Sequence, residues 1–154
     1  MPAGRGTPPD PGQAMLREAI AQKVLLGWAE NRQQVAVPLA VNLGRMPPAE
    51  AGLVVQAMAA ALALAGPPSE AARQRLGAAL ARAGGAGLPV PERPDLLALF
   101  AALEGAGLGP HAYAASLMVL DRREKLARAW LDLLAARFAL PAELLAGLAR
   151  RYRG

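Results

Sequence analysis

The chain has 154 residues, among them 37 Ala and 26 Leu but only 8 Val, 1 Ile and 1 Thr. So few β-branched residues exclude an all-β or doubly wound fold and predict an all-α protein, a compact bundle of six to seven helices. The chain has no Cys and one His, so it lacks the residues of most familiar catalytic sites, and we expect that it is not an enzyme. Its formal net charge is +5.

The first 46 residues are expected to precede the main domain. Residues 1–12 are rich in Pro and Gly and lack an apolar stretch, which predicts a disordered tail without a targeting signal. Residues 13–46 are predicted to form a helix and then an extended linker that crosses the surface, because Pro38 and nearby Val residues oppose helix continuation. Trp28 ends that helix beside polar residues, and two interpretations stay open: burial in the core, or exposure as a candidate contact for a partner.

Residues 47–154 are predicted to form the helical domain. Its first helix begins at Pro47 and Pro48, which suit the first turn of a helix, and runs to Ala65. This helix is apolar on nearly every face, as is typical of a central helix surrounded by others. The apolar run over residues 53–65 is shorter than the roughly 20 residues that a bilayer core requires, so no transmembrane segment is expected.

Two further helices follow, each with a polar residue at its start. Ser69 is a plausible N-cap for a helix that ends near Ala83, and Asp95 caps a helix that ends near Glu104. The three alternating glycines of residues 105–109 resemble a phosphate loop only superficially, because no strand precedes them. We interpret them as a helix stop followed by a turn.

The last third is predicted to hold three helices, over residues 110–120, 121–138 and 141–152. Asp121 and Glu124 have the spacing of a capping box for the second of these helices. An apolar ridge at i, i+4 spacing is expected to face the core, carried by Leu126, Trp130, Leu134 and Phe138.

One His and one Ser in the last third invite a nucleophile interpretation, which the spacing argues against. His111 and Ser116 are five residues apart, so on a helix they point in directions about 140° apart. We expect His111 to lie in the first turn of its helix and the Ser116 hydroxyl to donate to a backbone carbonyl. The sequence therefore predicts no catalytic residue.

The segment HAYAASLMVLDRREKLARAWLDLLAARFALPAELLAGL, residues 111–148, is similar to the C-terminal half of a bacterial family in the TerB-like superfamily, the relatives of tellurite-resistance protein B. The branch in question is the uncharacterised YebE-like branch. Upstream, residues 55–66 and 69–84 resemble two helices of that family in the same order. The resemblance implies an all-α TerB-like bundle. Its most specific positions are Tyr113, Ala115, Ser116, Asp121, Leu131, Leu134, Ala135, Leu140 and Pro141.

The chain departs from this family at the acidic positions. Members commonly carry Ala-Asp-Gly at the end of the central helix and then further acids, a group suited to a hard cation such as calcium. Here Ala65 stands where the family has Asp, and Glu70 is the only remnant. Calcium takes six to eight oxygen ligands, so we expect no metal site and no cofactor. We expect the Glu70 carboxylate to interact favourably with the positive end of the helix dipole.

The basic excess is concentrated near the C-terminus. Residues 111–154 hold eight basic and four acidic residues, and Arg150, Arg151 and Arg153 lie at the end of the last helix. Two interpretations stay open, a favourable interaction with the helix dipole and a contact with an anionic membrane or an acidic partner. No dense basic run occurs, so no nucleic-acid partner is expected.

These observations predict a TerB-like, non-enzymatic scaffold or protein-interaction module in a stress or envelope-associated response. We expect a protein partner or self-association. We expect a cytoplasmic location, either free in the cytoplasm or peripheral at the inner membrane. The alternative is a small-ligand or metal-responsive binding protein. In that alternative, the Ala-rich central helix leaves an apolar pocket, and Glu70, Glu92 or Asp95 supplies polarity.

Overall fold

The computed structural model describes residues 39–153, and within that range every regular element is helical. The prediction of an all-α helical bundle is therefore confirmed for this part of the chain. The predicted tail and N-terminal helix, including Trp28, lie outside the described residues. After a 3-10 helix at Leu43–Arg45, the helices are α1 (Pro48–Leu62), α2 (Glu70–Arg82), α3 (Leu96–Gly105), α4 (Gly109–Val119), α5 (Lys125–Arg137) and α6 (Ala142–Arg151).

Helix α1 is the central helix of the bundle, as its uniformly apolar sequence predicts. It packs against α2, α3, α4 and the 3-10 helix. Val54, Val55 and Met58 are fully buried. Small side chains at Ala57 and Ala60 are also buried and allow the neighbouring helices to approach closely.

The C-terminal end of α1 differs from the prediction. The helix ends at Leu62 rather than at Ala65, and the backbone N–H of Ala63 donates to the carbonyls of both Ala59 and Ala60. Gly66 has a φ of 120°, and Pro67 follows it. A proline disfavours the helical conformation in the residue before it, so the chain leaves the helix early and forms a wide turn.

The start signals of α2 and α3 are confirmed. The Ser69 hydroxyl accepts a hydrogen bond from the backbone N–H of Ala72 at 3.1 Å. The Asp95 carboxylate accepts from the N–H groups of Leu97 and Ala98, at 3.1 and 3.3 Å. Both side chains thus pair backbone donors that a helix start leaves without partners.

The predicted capping box before α5 is wrong. Glu124 occupies the N-cap position, but its side chain makes no capping hydrogen bond. The Asp121 carboxylate instead accepts from the backbone N–H of Arg123 at 3.0 Å and pairs with the Arg123 guanidinium at 2.9 Å. This ion pair keeps Asp121 in the turn that precedes the helix.

The expected linker does not cross the surface over its whole length. Val41 and Leu43 are buried in the core, and the Leu43 N–H donates to the Ala83 carbonyl at 2.7 Å. The Tyr152 hydroxyl accepts from the Val41 N–H at 3.0 Å and donates to the Leu39 carbonyl at 3.3 Å. The end of α6 therefore fixes the segment that leads into α1.

Two aromatic contacts hold α3 against α5. The Phe100 ring lies 5.8 Å from the Trp130 ring and 5.9 Å from the Phe138 ring, measured between centroids. Trp130 and Leu134 are buried, as the predicted ridge requires. The prediction that Leu126 faces the core is wrong. Leu126 is 45% exposed, and its neighbour Ala127 is buried instead.

Candidate functional site

An open groove of about 840 Å³ lies where α1 ends and α2 begins, and the segment before α3 forms its third wall. Ligand sites in proteins commonly have volumes of roughly 300–1,000 Å³, so the groove is large enough to hold a ligand or a short peptide segment. Its apolar lining includes Ala59, Ala63, Leu76, Val90, Pro91 and Leu96.

The sequence explains why this space stays open. The last turn of α1 and its C-cap present the small side chains of Ala59, Ala60 and Ala63 toward it, together with the larger side chain of Leu62. On the opposite side, residues 84–94 contain three Gly and three Pro, which prevent a regular helix that would pack against α1. Small side chains facing an irregular segment leave a groove, because neither wall can fill the gap.

Charged side chains lie along the groove. Arg73, Glu92 and Arg93 belong to its lining, so two cations and one carboxylate flank the apolar surface. The Arg73 guanidinium lies 3.5 Å from the carboxylate of Glu70, and both side chains are mainly exposed. A pair with this exposure contributes little to stability, so Arg73 remains available to a partner of opposite charge.

A further exposed apolar side chain follows the groove in the first turn of α3. Leu97 does not line the groove and is 84% exposed, and the groove residues Leu96 and Val90 are 41% and 39% exposed. Sequence reasoning predicted the helix but missed this surface. The signal was present in the run Leu96, Leu97, Ala98, Leu99 and Phe100, because one helix cannot turn five consecutive side chains toward a single core.

The three acidic residues that the sequence offered for a ligand site, Glu70, Glu92 and Asp95, have different positions in the structure. Glu70 lies in the first turn of α2 beside Arg73, and Asp95 caps α3, whereas only Glu92 lines the groove. Within residues 39–153, no group of three or more His, Cys, Asp or Glu side chains gathers in a way that could hold a metal ion.

His111 and Ser116 are not brought together. The Ser116 hydroxyl donates to the Ala112 carbonyl at 2.8 Å, as predicted, and accepts from the Trp130 indole N–H at 3.0 Å. The His111 Nδ1 atom is buried and has no hydrogen-bond partner among the described residues. Burial lowers the pKa of His111, although the nearby Glu50 opposes this shift. The Ser116 hydroxyl is thus engaged by Ala112 and Trp130, and His111 makes no hydrogen bond with it.

The predicted basic residues at the C-terminus are exposed. Arg150 and Arg151 end α6, and Arg153 follows it. Sequence reasoning missed Arg122, whose guanidinium donates to the carbonyls of Ala149 and Tyr152 at 3.3 and 3.4 Å. No local pattern could reveal this contact, because it joins residues 27 and 30 positions apart.

None of the helices between residues 39 and 153 is long and apolar enough to cross a membrane. No protein-family model, curated protein or solved structure matches this chain.

Proposed function

We propose that this chain is a non-enzymatic protein-interaction module whose groove binds an apolar segment of a partner protein. The observation that carries the proposal is the groove together with the exposed side chain of Leu97. A leucine that is 84% exposed beside an open apolar groove is typical of a surface that another molecule covers. The Ala-rich wall of α1 would accept large apolar anchors from the partner.

The extent of the surface favours a polypeptide occupant. A small molecule that filled the groove would leave Leu97 in water, whereas a peptide segment can cover both the groove and the first turn of α3. Arg73 and Arg93 favour a segment that also carries carboxylates, because they outnumber the single Glu92 of the groove. The expected occupant is therefore an amphipathic segment with apolar anchors and acidic flanks.

The TerB-like resemblance is part of this proposal. This part rests on the resemblance of residues 55–66, 69–84 and 111–148 to helices of that family. In this proposal the scaffold works in the cytoplasm, in a stress or envelope-associated response, and recruits its partner without performing chemistry. The partner is a different protein, and self-association is the rival outcome that the experiment distinguishes.

Peptide display tests the proposed interaction. A random peptide library is selected on the full chain, with counter-selection on Leu97→Glu, which adds a carboxylate in the first turn of α3, where the helix dipole favours one. We expect enriched peptides with apolar anchors at i, i+3 or i+4 and i+7, flanked by acids. Their affinity, measured by fluorescence anisotropy, should fall at least tenfold (~1.4 kcal/mol) in the Leu97→Glu variant.

Leu133→Glu is the matched control. Leu133 lies on α5, is 47% exposed and does not line the groove. We expect this variant to bind the selected peptides as the unmodified chain does. Absence of enrichment, or an equal loss in both variants, contradicts the proposal. A concentration-dependent dimer that only Leu97→Glu dissociates would assign the groove to a second copy of the chain.

The volume of the groove supports a second candidate, a small anionic amphiphile. A groove of about 840 Å³ with two arginines beside an apolar wall suits an acyl chain with a carboxylate. Decanoate is a suitable probe. If it binds this site, it should raise the unfolding free energy by about 2.7 kcal/mol at one hundred times its dissociation constant. Saturable decanoate binding without peptide enrichment would favour this candidate over the first.

A further inference from the structure

Six basic residues belong to two segments that meet where α5 begins and α6 ends. The contact that joins the two segments is made by Arg122, whose guanidinium donates to the Ala149 and Tyr152 carbonyls. Only two acidic residues, Asp121 and Glu124, lie in the turn before α5. The C-terminal basic surface consists of Arg122, Arg123, Lys125, Arg150, Arg151 and Arg153.

Arg150 and Arg151 lie in the last turn of α6, where the helix dipole favours cations, and Arg153 lies beyond the helix. The Ala149 carbonyl in the last turn of α6 accepts a hydrogen bond from Arg122. It accepts none from Arg150, Arg151 or Arg153. Arg150, Arg151 and Arg153 make no hydrogen bond or ion pair within residues 39–153, although the Arg151 guanidinium lies 6.0 Å from the centre of the Tyr152 ring. Exposed cations that lie close together repel one another, and the same cluster attracts a partner of opposite charge.

The local chemistry favours a lipid surface over a nucleic acid. Leu126 follows Lys125 directly and is 45% exposed, so an apolar side chain lies beside the cations. Of the two tyrosines near Arg122, Tyr152 has its hydroxyl bonded to Val41 and Leu39, and Tyr113 is half-buried. Binding of single-stranded nucleic acid uses exposed aromatic platforms, whereas membrane association combines cations with apolar side chains that enter the interface.

We infer that the C-terminal basic surface binds the surface of an anionic lipid bilayer. A basic residue close to such a surface increases binding about fivefold, so removal of three charges predicts a loss of about 100-fold. The attraction is electrostatic and acts over a short range. The Debye length falls from about 10 Å at 0.1 M salt to about 3 Å at 1 M, so binding should be lost at high salt.

Co-sedimentation of the full chain with lipid vesicles tests this inference. The two probes are vesicles of phosphatidylcholine and vesicles of an equimolar mixture with phosphatidylglycerol. We expect binding to the mixed vesicles only, at low salt only. The triple variant Arg150→Gln, Arg151→Gln and Arg153→Gln should bind about 100-fold more weakly. Its circular dichroism should match that of the unmodified chain, because these side chains make no hydrogen bond or ion pair with other described residues.

The matched control removes the same number of charges elsewhere. Arg73→Gln, Arg93→Gln and Arg137→Gln alter the groove and the far end of α5, and their combination should leave vesicle binding within about threefold of the original. An equal loss in this control overturns the inference, because net charge alone would then explain binding. Equal binding to the uncharged vesicles overturns it as well.

A second variant distinguishes binding to a lipid bilayer from binding to other polyanions. Leu126→Ser should weaken binding to the mixed vesicles and leave binding to polyglutamate or single-stranded DNA unchanged. Tighter binding to either of these polymers than to the vesicles would contradict a lipid partner. The Leu97→Glu variant should bind vesicles normally, so failure of the groove proposal and failure of this inference remain distinguishable.

Discussion

Ser116 is a polar residue in the core, fully buried between α4 and α5. Its hydroxyl donates to the Ala112 carbonyl at 2.8 Å and accepts from the Trp130 indole at 3.0 Å. The first bond could be predicted from sequence, because a helical serine commonly donates to the carbonyl four residues earlier. The second bond depends on how α5 packs on α4, which no local pattern encodes.

Replacement of Ser116 by alanine should destabilise the protein. The Ser116→Ala variant leaves the Trp130 indole N–H buried without an acceptor, which costs about 1–3 kcal/mol of unfolding free energy. Urea denaturation measures the loss. In the Trp130→Phe background the donor is absent, so the same change should cost clearly less. Equal costs in the two backgrounds would mean that the hydrogen bond contributes nothing.

His111 should make stability depend on pH as the pH falls through its unfolded pKa of 6.5. Burial lowers its pKa below the unfolded value of 6.5, so the unfolded chain binds the proton more readily. The unfolding free energy is therefore fully retained above pH 6.5, falls as pH drops below it, and levels off below the folded pKa. Chemical denaturation at several pH values measures this profile.

The His111→Gln variant is expected to show no such slope as the pH falls through 6.5. Arg123 lowers the pKa of Asp121 to about 2, and Arg137 lowers the pKa of Glu104 below its ordinary value of 4.5, because both arginines stabilise the carboxylate form. Stability that depends on these two groups is lost only at more acidic pH. A slope that persists there in the variant, as the pH falls through 6.5, would contradict the assignment to His111.

Three helices end with the same hydrogen-bond motif. In each, the residue after the C-cap has a positive φ, and the next N–H donates to a carbonyl five residues earlier. Gly84 and Gly107 hold this position after α2 and α3. Ala139 holds it after α5 with a φ of 49°, where a side chain is unfavourable.

Glycine at position 139 should therefore stabilise the protein. We expect Ala139→Gly to raise the unfolding free energy by about 1 kcal/mol, because the left-handed conformation carries no penalty for glycine. Gly107→Ala is the matched opposite, since its added methyl group meets no atom within 4 Å and only the backbone conformation is tested. It should destabilise by a similar amount in thermal or urea unfolding. Changes of the same sign in both variants would refute this explanation.

At the level of helices, local chemistry predicted starts better than ends and faces. Ser69 and Asp95 were predicted as caps because the residues that they bond lie two or three positions away. The capping box failed because Asp121 has a competing partner in Arg123. Leu126 was assigned to the core from its spacing alone, whereas the packing of neighbouring helices decides which residues of α5 are covered.

At the level of the whole molecule, the groove depends on features far apart in the chain. The sequence suggested an apolar pocket beside the Ala-rich central helix, with Glu92 as one of three polar candidates. It could not show that residues 90–96 lie against the end of α1, because that contact spans about thirty residues. Burial of Val41 and Leu43 and the contacts of Arg122 are long-range in the same way.

The central claim is that the groove is the interaction site, and methyl NMR of the full chain tests it most directly. The chain is labelled at Ala and Leu methyl groups and titrated with a peptide enriched by display. We predict that the largest shift changes occur at Ala59, Ala63, Leu96 and Leu97, and that Leu126 and Leu133 stay unchanged. Shift changes concentrated at Leu126 and Leu133, with none along the groove, would contradict the claim.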